Sequence, residues 1–271
     1  MFHFPHLTIT LALGLSCAAF ASASAETVQV GGTGMGLGFM QAAGKRFEAT
    51  RPGTTVEVLP SLGSSGGVKA LAAKAIDVAI IASLPTTEQT ALGLKAGVCF
   101  KTALVLATSR PDSPAITRAQ LPTIFADPNA AWPDGEPLKI ILRGRAGSEN
   151  AYLIRAVPGM ESALDAAYKR GGIPIGSTDQ ENVELANRTA GSLAVTTLLQ
   201  IRAEQLSLRP LPLDGTTASV QTLATGAYPF PLDLCLLVRD DSAAAAKALI
   251  AFMRSPEGEK VARGFDALPI E

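Results

Sequence analysis

Glycine and hydroxyl residues cluster in two loops near the start of the chain. Thr33 lies in the glycine-rich run 31–36, and Ser64 and Ser65 lie in the run 63–67. Unpaired N–H groups at the start of a helix carry a partial positive charge, so they can hold an anion without a basic side chain. Glycine lets a ligand approach the backbone, and each hydroxyl can donate a hydrogen bond. Both loops are candidate anion sites, although N-capping and turn formation would explain either loop alone.

A second cluster in the middle of the chain adds positive charge. Arg143 and Arg145 follow an apolar run and precede Ser148. Residues two apart on an extended segment point the same way, and an arginine can bind an oxyanion through two parallel hydrogen bonds. Both guanidinium groups could therefore reach one ligand. The alternative is a structural ion pair with Glu149 or Asp134.

Candidate ligand-binding residues all lie where a predicted strand ends or a predicted helix begins. Ligands of open α/β sheets bind outside the carboxyl ends of the strands, which is where such residues meet. The full set is Thr33, Gly34, Met35, Ser64, Ser65, Gly66, Ser83, Arg143, Arg145, Gly147, Ser148, Asn150 and Thr178.

The elements that position these residues alternate between strands and helices. The runs 27–30, 54–59 and 77–82 have strand character, and apolar residues at helical spacing lie between them. The run 77–82 is almost continuously apolar, which is typical of a strand covered on both faces. This order predicts a doubly wound, mostly parallel sheet.

A second strand, loop and helix unit begins at residue 138 and indicates a second lobe. The apolar runs 100–108 and 232–239 flank this region and are predicted to carry the chain between the lobes. The predicted fold class is therefore α/β with two lobes and a ligand cleft between them. Lobe 1 is expected to comprise residues 26–108 and 231–271, and lobe 2 residues 109–230.

The first 25 residues are predicted to be a secretory signal peptide. An apolar run is followed by Ala-Ser-Ala at 23–25, which a signal peptidase accepts, so cleavage is expected before Glu26. An N-terminal membrane anchor is the alternative, and Cys17 raises that of a lipoprotein. Export to the periplasm is the favoured interpretation.

Charge and composition exclude several classes of protein. The chain has 271 residues, is 47% hydrophobic and has a formal net charge of −1. It should therefore fold. It lacks the excess of positive charge that would attract nucleic acid or an anionic membrane.

The histidine and cysteine content narrows the possible chemistry. Both histidines lie within the predicted signal peptide, so the exported chain cannot build a Ser-His-Asp triad or a His-ligated metal site. We expect no enzyme activity, metal or cofactor. A serine hydrolase would need Lys69 or Lys74 as its base, and a structural or adhesive protein is a further alternative. Cys99 and Cys235 lie in apolar runs, which favours two buried thiols over a disulfide.

Several motifs, in order along most of the chain, resemble a known family. The stretch 61–69 (SLGSSGGVK), followed by Asp-Val-Ala at 77–79, is similar to the signature of the periplasmic phosphate-binding proteins of ABC transporters. Further agreement comes from LPTIF at 121–125, Gly-Ser at 147–148, Tyr-Pro at 228–229 and SPEG at 255–258. The resemblance implies the type II periplasmic-binding-protein fold.

The same resemblance implies a function and some residue roles. The chain would bind phosphate or a phosphate-like anion through Ser64, Ser148 and either Arg143 or Arg145, and deliver it to an inner-membrane ABC permease. A sensor protein that feeds a signalling partner, or a binder of another small anion or carboxylate, is the alternative. A monomer is expected.

Two departures from the family's pattern affect the expected ligand. Ala82 stands where the family's phosphate binders have an aspartate that accepts the ligand's proton, and Ala146 replaces a second aspartate. A buried carboxylate repels an anion that has no proton to share, so its loss removes a reason to reject sulfate.

Overall fold

The computed structural model describes Met1 and residues 26–270. Apart from Met1, the predicted signal peptide lies outside the described residues, and its cleavage stays a prediction. Within the described part of the chain, no helix is both long and apolar enough to cross a membrane.

Strands and helices alternate along the described chain. The strands are β1 (Glu26–Gly32), β2 (Thr54–Val58), β3 (Val78–Ile81), β4 (Leu94–Thr108), β5 (Lys139–Ile140), β6 (Leu142–Arg143), β7 (Ile175–Gly176), β8 (Ser192–Thr197), β9 (Arg209–Pro210), β10 (Pro231–Arg239) and β11 (Leu268–Ile270). The helices are α1 (Leu37–Thr50), α2 (Gly63–Ala72), α3 (Thr87–Ala91), α4 (Leu121–Ala126), α5 (Ser148–Ala156), α6 (Met160–Lys169), α7 (Asp179–Arg188), α8 (Leu198–Ala203), α9 (Val220–Ala224), α10 (Ala244–Met253) and α11 (Pro256–Gly264).

The main sheet has the strand order β2-β1-β3-β10-β4-β8-β5. The parallel pairs are β1 with β2, β1 with β3, and β5 with β8. Parallel neighbours need a crossover connection, and at least one helix lies in the chain between the two strands of each pair. The long strands β4 and β10 run antiparallel to each other, and to β8 and β3 respectively. The predicted α/β architecture is confirmed.

Alternate residues of β3 pack on opposite sides of the sheet. Val78 and Ile80 belong to the hydrophobic cluster under α1 and α10, whereas Ala79 and Ile81 belong to a smaller cluster under α2. Successive strand residues face opposite sides, so helices on both faces bury every residue of β3. This explains its continuous apolar run.

The strands β4 and β10 connect two separate cores. Phe100 of β4 and Leu234 of β10 pack in the cluster under α1 and α10. Leu104 of β4 and Leu232 of β10 pack in a second large cluster, formed with helices α4 to α7. This is the behaviour expected of strands that cross between two lobes, and the proposed lobe boundaries stay a prediction.

The apolar run 138–142, expected to be one strand, forms parts of two. Ile141 N–H donates to the carbonyl of Leu193 in β8, but Leu142 N–H donates to the carbonyl of Pro174 beside β7. The chain therefore changes partner between these two residues. As a result β6 and β7 form a separate parallel pair that brings Arg143 beside Gly176.

Cys99 and Cys235 form a disulfide, so the preference for two buried thiols was wrong. The antiparallel register of β4 and β10 places the two residues directly opposite each other. The apolar pattern of each strand was interpreted correctly, but the register between strands 136 residues apart is not a local property.

Candidate functional site

A cleft of about 670 Å³ is lined by residues from both halves of the molecule. The segment leading into α2 forms one wall, and the segments leading into α5 and α7 form the other. The residues that were predicted and do line the cleft are Thr33, Ser64, Ser65, Gly66, Arg143, Arg145, Gly147, Ser148 and Thr178.

Two of the predicted residues in the first loop lie beneath the cleft. Gly34 is buried, and its carbonyl accepts a hydrogen bond from Gln180 Nε2 at 2.9 Å. A Cβ on Gly34 would lie 2.3 Å from Gln180 Oε1, so glycine permits this close approach. Met35 is buried in the cluster formed with α4 to α7. Both residues hold the two halves together and do not line the cleft.

Ser83 and Asn150 are also outside the cleft lining. Ser83 is exposed beyond the end of β3. Asn150 is buried, and its Nδ2 donates to the carbonyl of Gly144 at 3.0 Å and to Tyr168 Oη at 2.9 Å. Asn150 therefore supports the loop before α5 from behind.

Close backbone packing positions the start of α2. A Cβ on Gly67 would lie 2.7 Å from the Cα of Gly32, so the helix approaches β1 more closely than a side chain would allow. Ser64 Oγ accepts a hydrogen bond from the N–H of Ala82 at 3.0 Å and retains its own hydrogen to donate. The amides of Ser64 and Ser65 lie in the first helical turn, where no carbonyl of the same helix can accept from them.

The start of α5 faces the first wall from the other side. A turn precedes the helix, in which Gly147 N–H donates to the carbonyl of Gly144 at 2.8 Å. The helix then begins at Ser148, whose amide is in the first turn and whose hydroxyl is a further donor.

The start of α7 differs because it is already capped and acidic. Thr178 Oγ1 accepts from the N–H of Glu181 at 3.1 Å, and Asp179 and Glu181 lie in the first turn. Carboxylates at this end of a helix are stabilised by its dipole. The start of α7 therefore places the carboxylate of Asp179 in the cleft and does not provide a site for an anion.

Arg143 is the buried cation of the cleft. Its Nε donates to Asp179 Oδ1 at 3.0 Å and its Nη1 to the carbonyl of Gly176 at 2.8 Å. Glu149 Oε1 lies 3.3 Å from the same Nε. Of the ion pairs considered from sequence, the one with Glu149 is present.

Arg145 occupies the rim. Its Nη1 pairs with Asp165 Oδ1 at 2.7 Å, and its guanidinium lies 4.3 Å from the centroid of the Tyr168 ring. The two arginine side chains point to different places, one to Asp179 and the other to Asp165. The extended segment ends because β6 stops at Arg143 and the chain then turns at Gly144.

Asp179 is a cleft residue that the sequence analysis missed. It is only 3% exposed and accepts from Thr33 Oγ1 at 3.3 Å as well as from Arg143. It follows the predicted Thr178 directly and is an acid at the start of a helix, but only the pairing of β6 with β7 brings it to Arg143.

Glu149, considered from sequence as an ion-pair partner of an arginine, forms part of a buried charged cluster with Arg143 and Asp179. Its side chain is almost fully buried, and neither of its carboxylate oxygens has a hydrogen-bond partner among the described residues. The pKa of Glu149 is raised to about 7, mainly by burial and then by the charge of Asp179, while the charge of Arg143 opposes the shift.

The cleft provides hydrogen-bond donors from Ser64 and Ser148 and a buried guanidinium from Arg143. Lys69 and Lys74, the bases considered for a hydrolase, are not among the described residues that line it. Donors and positive charge of this kind are suited to holding a small anion.

A family model described as a PBP superfamily domain matches residues 18–257, which is most of the chain. The chain belongs to the PBP superfamily. Comparison with curated protein sequences gives no significant match.

Solved structures of similar fold include proteins described as binding or transporting phosphate or molybdate. One, from Clostridium perfringens, is described as a phosphate ABC transporter substrate-binding protein with bound phosphate; it has a TM-score of 0.76 and 15% identity, over 91% of this chain and 100% of that one. An ABC-type phosphate transport receptor from Vibrio cholerae has a TM-score of 0.59 and 15% identity, over 89% and 99% of the two chains. The Azotobacter vinelandii periplasmic molybdate-binding protein has a TM-score of 0.59 and 14% identity, over 90% and 100%.

The Ser64 hydroxyl provides a first test of the cleft. We expect Ser64→Ala to weaken phosphate binding about tenfold, because one hydrogen bond to a charged group contributes about 1.5 kcal/mol or more. Ser83→Ala, an exposed serine outside the cleft lining, is the matched control and should leave the dissociation constant unchanged. Calorimetric titration measures both, and equal effects of the two substitutions would argue against this cleft.

Proposed function

We propose that this PBP-superfamily protein is an extracytoplasmic solute-binding protein that captures a small oxyanion, phosphate or a phosphate-like anion. One observation supports the proposal most. The starts of α2 and α5, on opposite walls, meet a single cleft that also contains Arg143. Main-chain amides at helix starts and a buried guanidinium are a suitable donor set for a small anion in a partly dry site.

The residue roles follow from this geometry. Ser64, Ser65 and Gly66 would donate from one wall. Ser148 and Arg143 would donate from the other. Thr33 and Thr178 already hydrogen-bond within the cleft, to Asp179 and to the start of α7. We assign them to shaping the site.

Ligand binding would close the cleft. Leu62 and Ile175 lie on opposite walls and are 42% and 46% exposed. Bringing the walls together around an anion would bury both side chains and remove water from the donors. β4 and β10 connect the two cores, so they would carry the hinge.

The proposed partner is an inner-membrane ABC permease, with the protein acting as a monomer in the periplasm. Structures of similar fold include proteins described as phosphate and molybdate binders. A sensor partner would need the same cleft, and a neighbouring gene for a permease or for a kinase distinguishes the two.

Isothermal titration calorimetry of the purified protein tests the function. The ligands are phosphate, arsenate, sulfate, molybdate and small carboxylates. We expect one tetrahedral oxyanion to bind at a ratio of one to one, with phosphate the first candidate. No heat from any anion would contradict the proposal.

A further inference from the structure

Three charged side chains meet at the wall of the cleft below the start of α5. Arg143, Glu149 and Asp179 have side chains no more than 9% exposed. Asp179 hydrogen-bonds to Arg143, whereas Glu149 lies 3.3 Å from it without a hydrogen bond. A buried carboxylate that accepts no hydrogen bond is costly to keep ionised.

The charge of this cluster depends on one proton. With both acids ionised, the cluster carries one negative charge in excess. With Glu149 protonated, it is neutral. An incoming anion would be repelled by the first state, and the interaction is strong because the groups are shielded from water.

Glu149 is close enough to the cleft for its charge to matter there. A Cβ on Gly147, a residue of the cleft wall, would lie 2.3 Å from Glu149 Oε1. Glu149 also lies in the first turn of α5. When ionised, its carboxylate offsets the partial positive charge at the start of this helix, which would otherwise attract the anion.

Building on the function proposed above, we propose that anion capture is coupled to proton uptake by Glu149. The cleft holds its oxyanion tightly when Glu149 carries a proton taken from solvent, and weakly when Glu149 is ionised. Protonation removes the excess negative charge and leaves Arg143 and the α5 amides available to the ligand.

The groups that face Glu149 come from three other elements. They are Arg143 on β6, Asp179 on α7 and Tyr168 on α6. Burial raises the pKa of the Tyr168 hydroxyl above its ordinary value, so it stays neutral. Asp179 accepts hydrogen bonds from Arg143 and Thr33, whereas Glu149 accepts none among the described residues, so Glu149 is the carboxylate whose charge is least stabilised.

The direction of the pH effect follows from a raised pKa. With its pKa raised to about 7, Glu149 is mostly protonated at pH 6 and mostly ionised at pH 8. If only the protonated form binds well, the dissociation constant rises about tenfold between pH 6 and pH 8 as the competent fraction falls.

Calorimetric titration with phosphate at pH 6, 7 and 8 tests the coupling. The variants are Glu149→Gln, a neutral mimic of the protonated acid, and Glu184→Gln, which removes an exposed carboxylate outside the cleft lining. Phosphate itself titrates in this range, but equally for every variant. We expect the dissociation constant of the wild type and of Glu184→Gln to rise about tenfold more than that of Glu149→Gln. Parallel pH profiles for all three proteins would overturn the inference.

Carbon-13 NMR of the Glu149 carboxyl tests the same point without a variant. The signal should titrate near pH 7 in the free protein and at higher pH with phosphate bound. A midpoint below pH 5 in both states would overturn the coupling. Phosphate binding with no contribution from Glu149 leaves the proposed function intact, whereas no anion binding at any pH contradicts the function itself.

Discussion

Arg143→Ala is expected to weaken phosphate binding about thirtyfold or more. Removing one partner of a buried, hydrogen-bonded charge pair costs about 2–5 kcal/mol, which corresponds to about thirtyfold to several thousandfold in the dissociation constant. The substitution also leaves Asp179 and Glu149 at the cleft wall with no cation beside them, and their negative charge would repel the ligand. Calorimetric titration measures the loss.

The variant should also be less stable, because it leaves two buried carboxylates without a counter-charge. Arg143→Lys therefore serves as a second variant. Lysine keeps the charge but not the planar set of donors that contacts Asp179 and Gly176. The affinity of Arg143→Lys for phosphate should therefore fall between those of the wild type and of Arg143→Ala.

Arg145→Ala is the matched control for Arg143→Ala. Arg145 is exposed, pairs with Asp165 and stacks on Tyr168 at the rim. Exposed pairs contribute about 0–1 kcal/mol, so its loss should change the dissociation constant of phosphate by a few-fold at most. Equal losses of affinity for the two alanine variants would contradict the distinction between a buried ligand-binding arginine and a rim arginine.

Replacing both disulfide cysteines with alanine is expected to lower the free energy of unfolding by about 3–5 kcal/mol. The bond joins residues 136 apart, so breaking it greatly increases the freedom of the unfolded chain. It also joins β4 to β10, the two strands that connect the cores. Urea denaturation, followed by circular dichroism, measures the change.

The redox control uses the same two proteins. A thiol reductant should destabilise the wild type by a similar amount and leave the double-alanine variant unaffected. Phosphate affinity should be retained by the variant, because neither cysteine lines the cleft. A variant as stable as the wild type would contradict a structural role for the bond.

The parts of the fold that were predictable depend on local patterns. The run 77–82 is almost continuously apolar because β3 is covered on both faces, and it was correctly interpreted as a buried strand. The run 138–142 looks equally continuous, but it divides between β5 and β6 because the chain changes partner after Ile141. Nothing in the five residues themselves signals that division.

The same distinction separates the site residues. Ser64 and Ser148 were predicted because glycine and serine at a helix start are visible in the sequence, and both line the cleft. Asp179 was missed because its meeting with Arg143 depends on the β6–β7 pairing, and with Thr33 on contact across the cleft. Met35 shares the local context of Thr33 but packs in the core.

Amides from opposite walls of the cleft should hold one anion between them. A titration of nitrogen-15-labelled protein with phosphate, followed by amide NMR, tests it most directly. We predict that the amides of Ser64, Ser65 and Ser148 shift together with one dissociation constant, while that of Trp132, which is outside the cleft lining, stays in place. Shifts confined to one wall, or none at all, would contradict the claim.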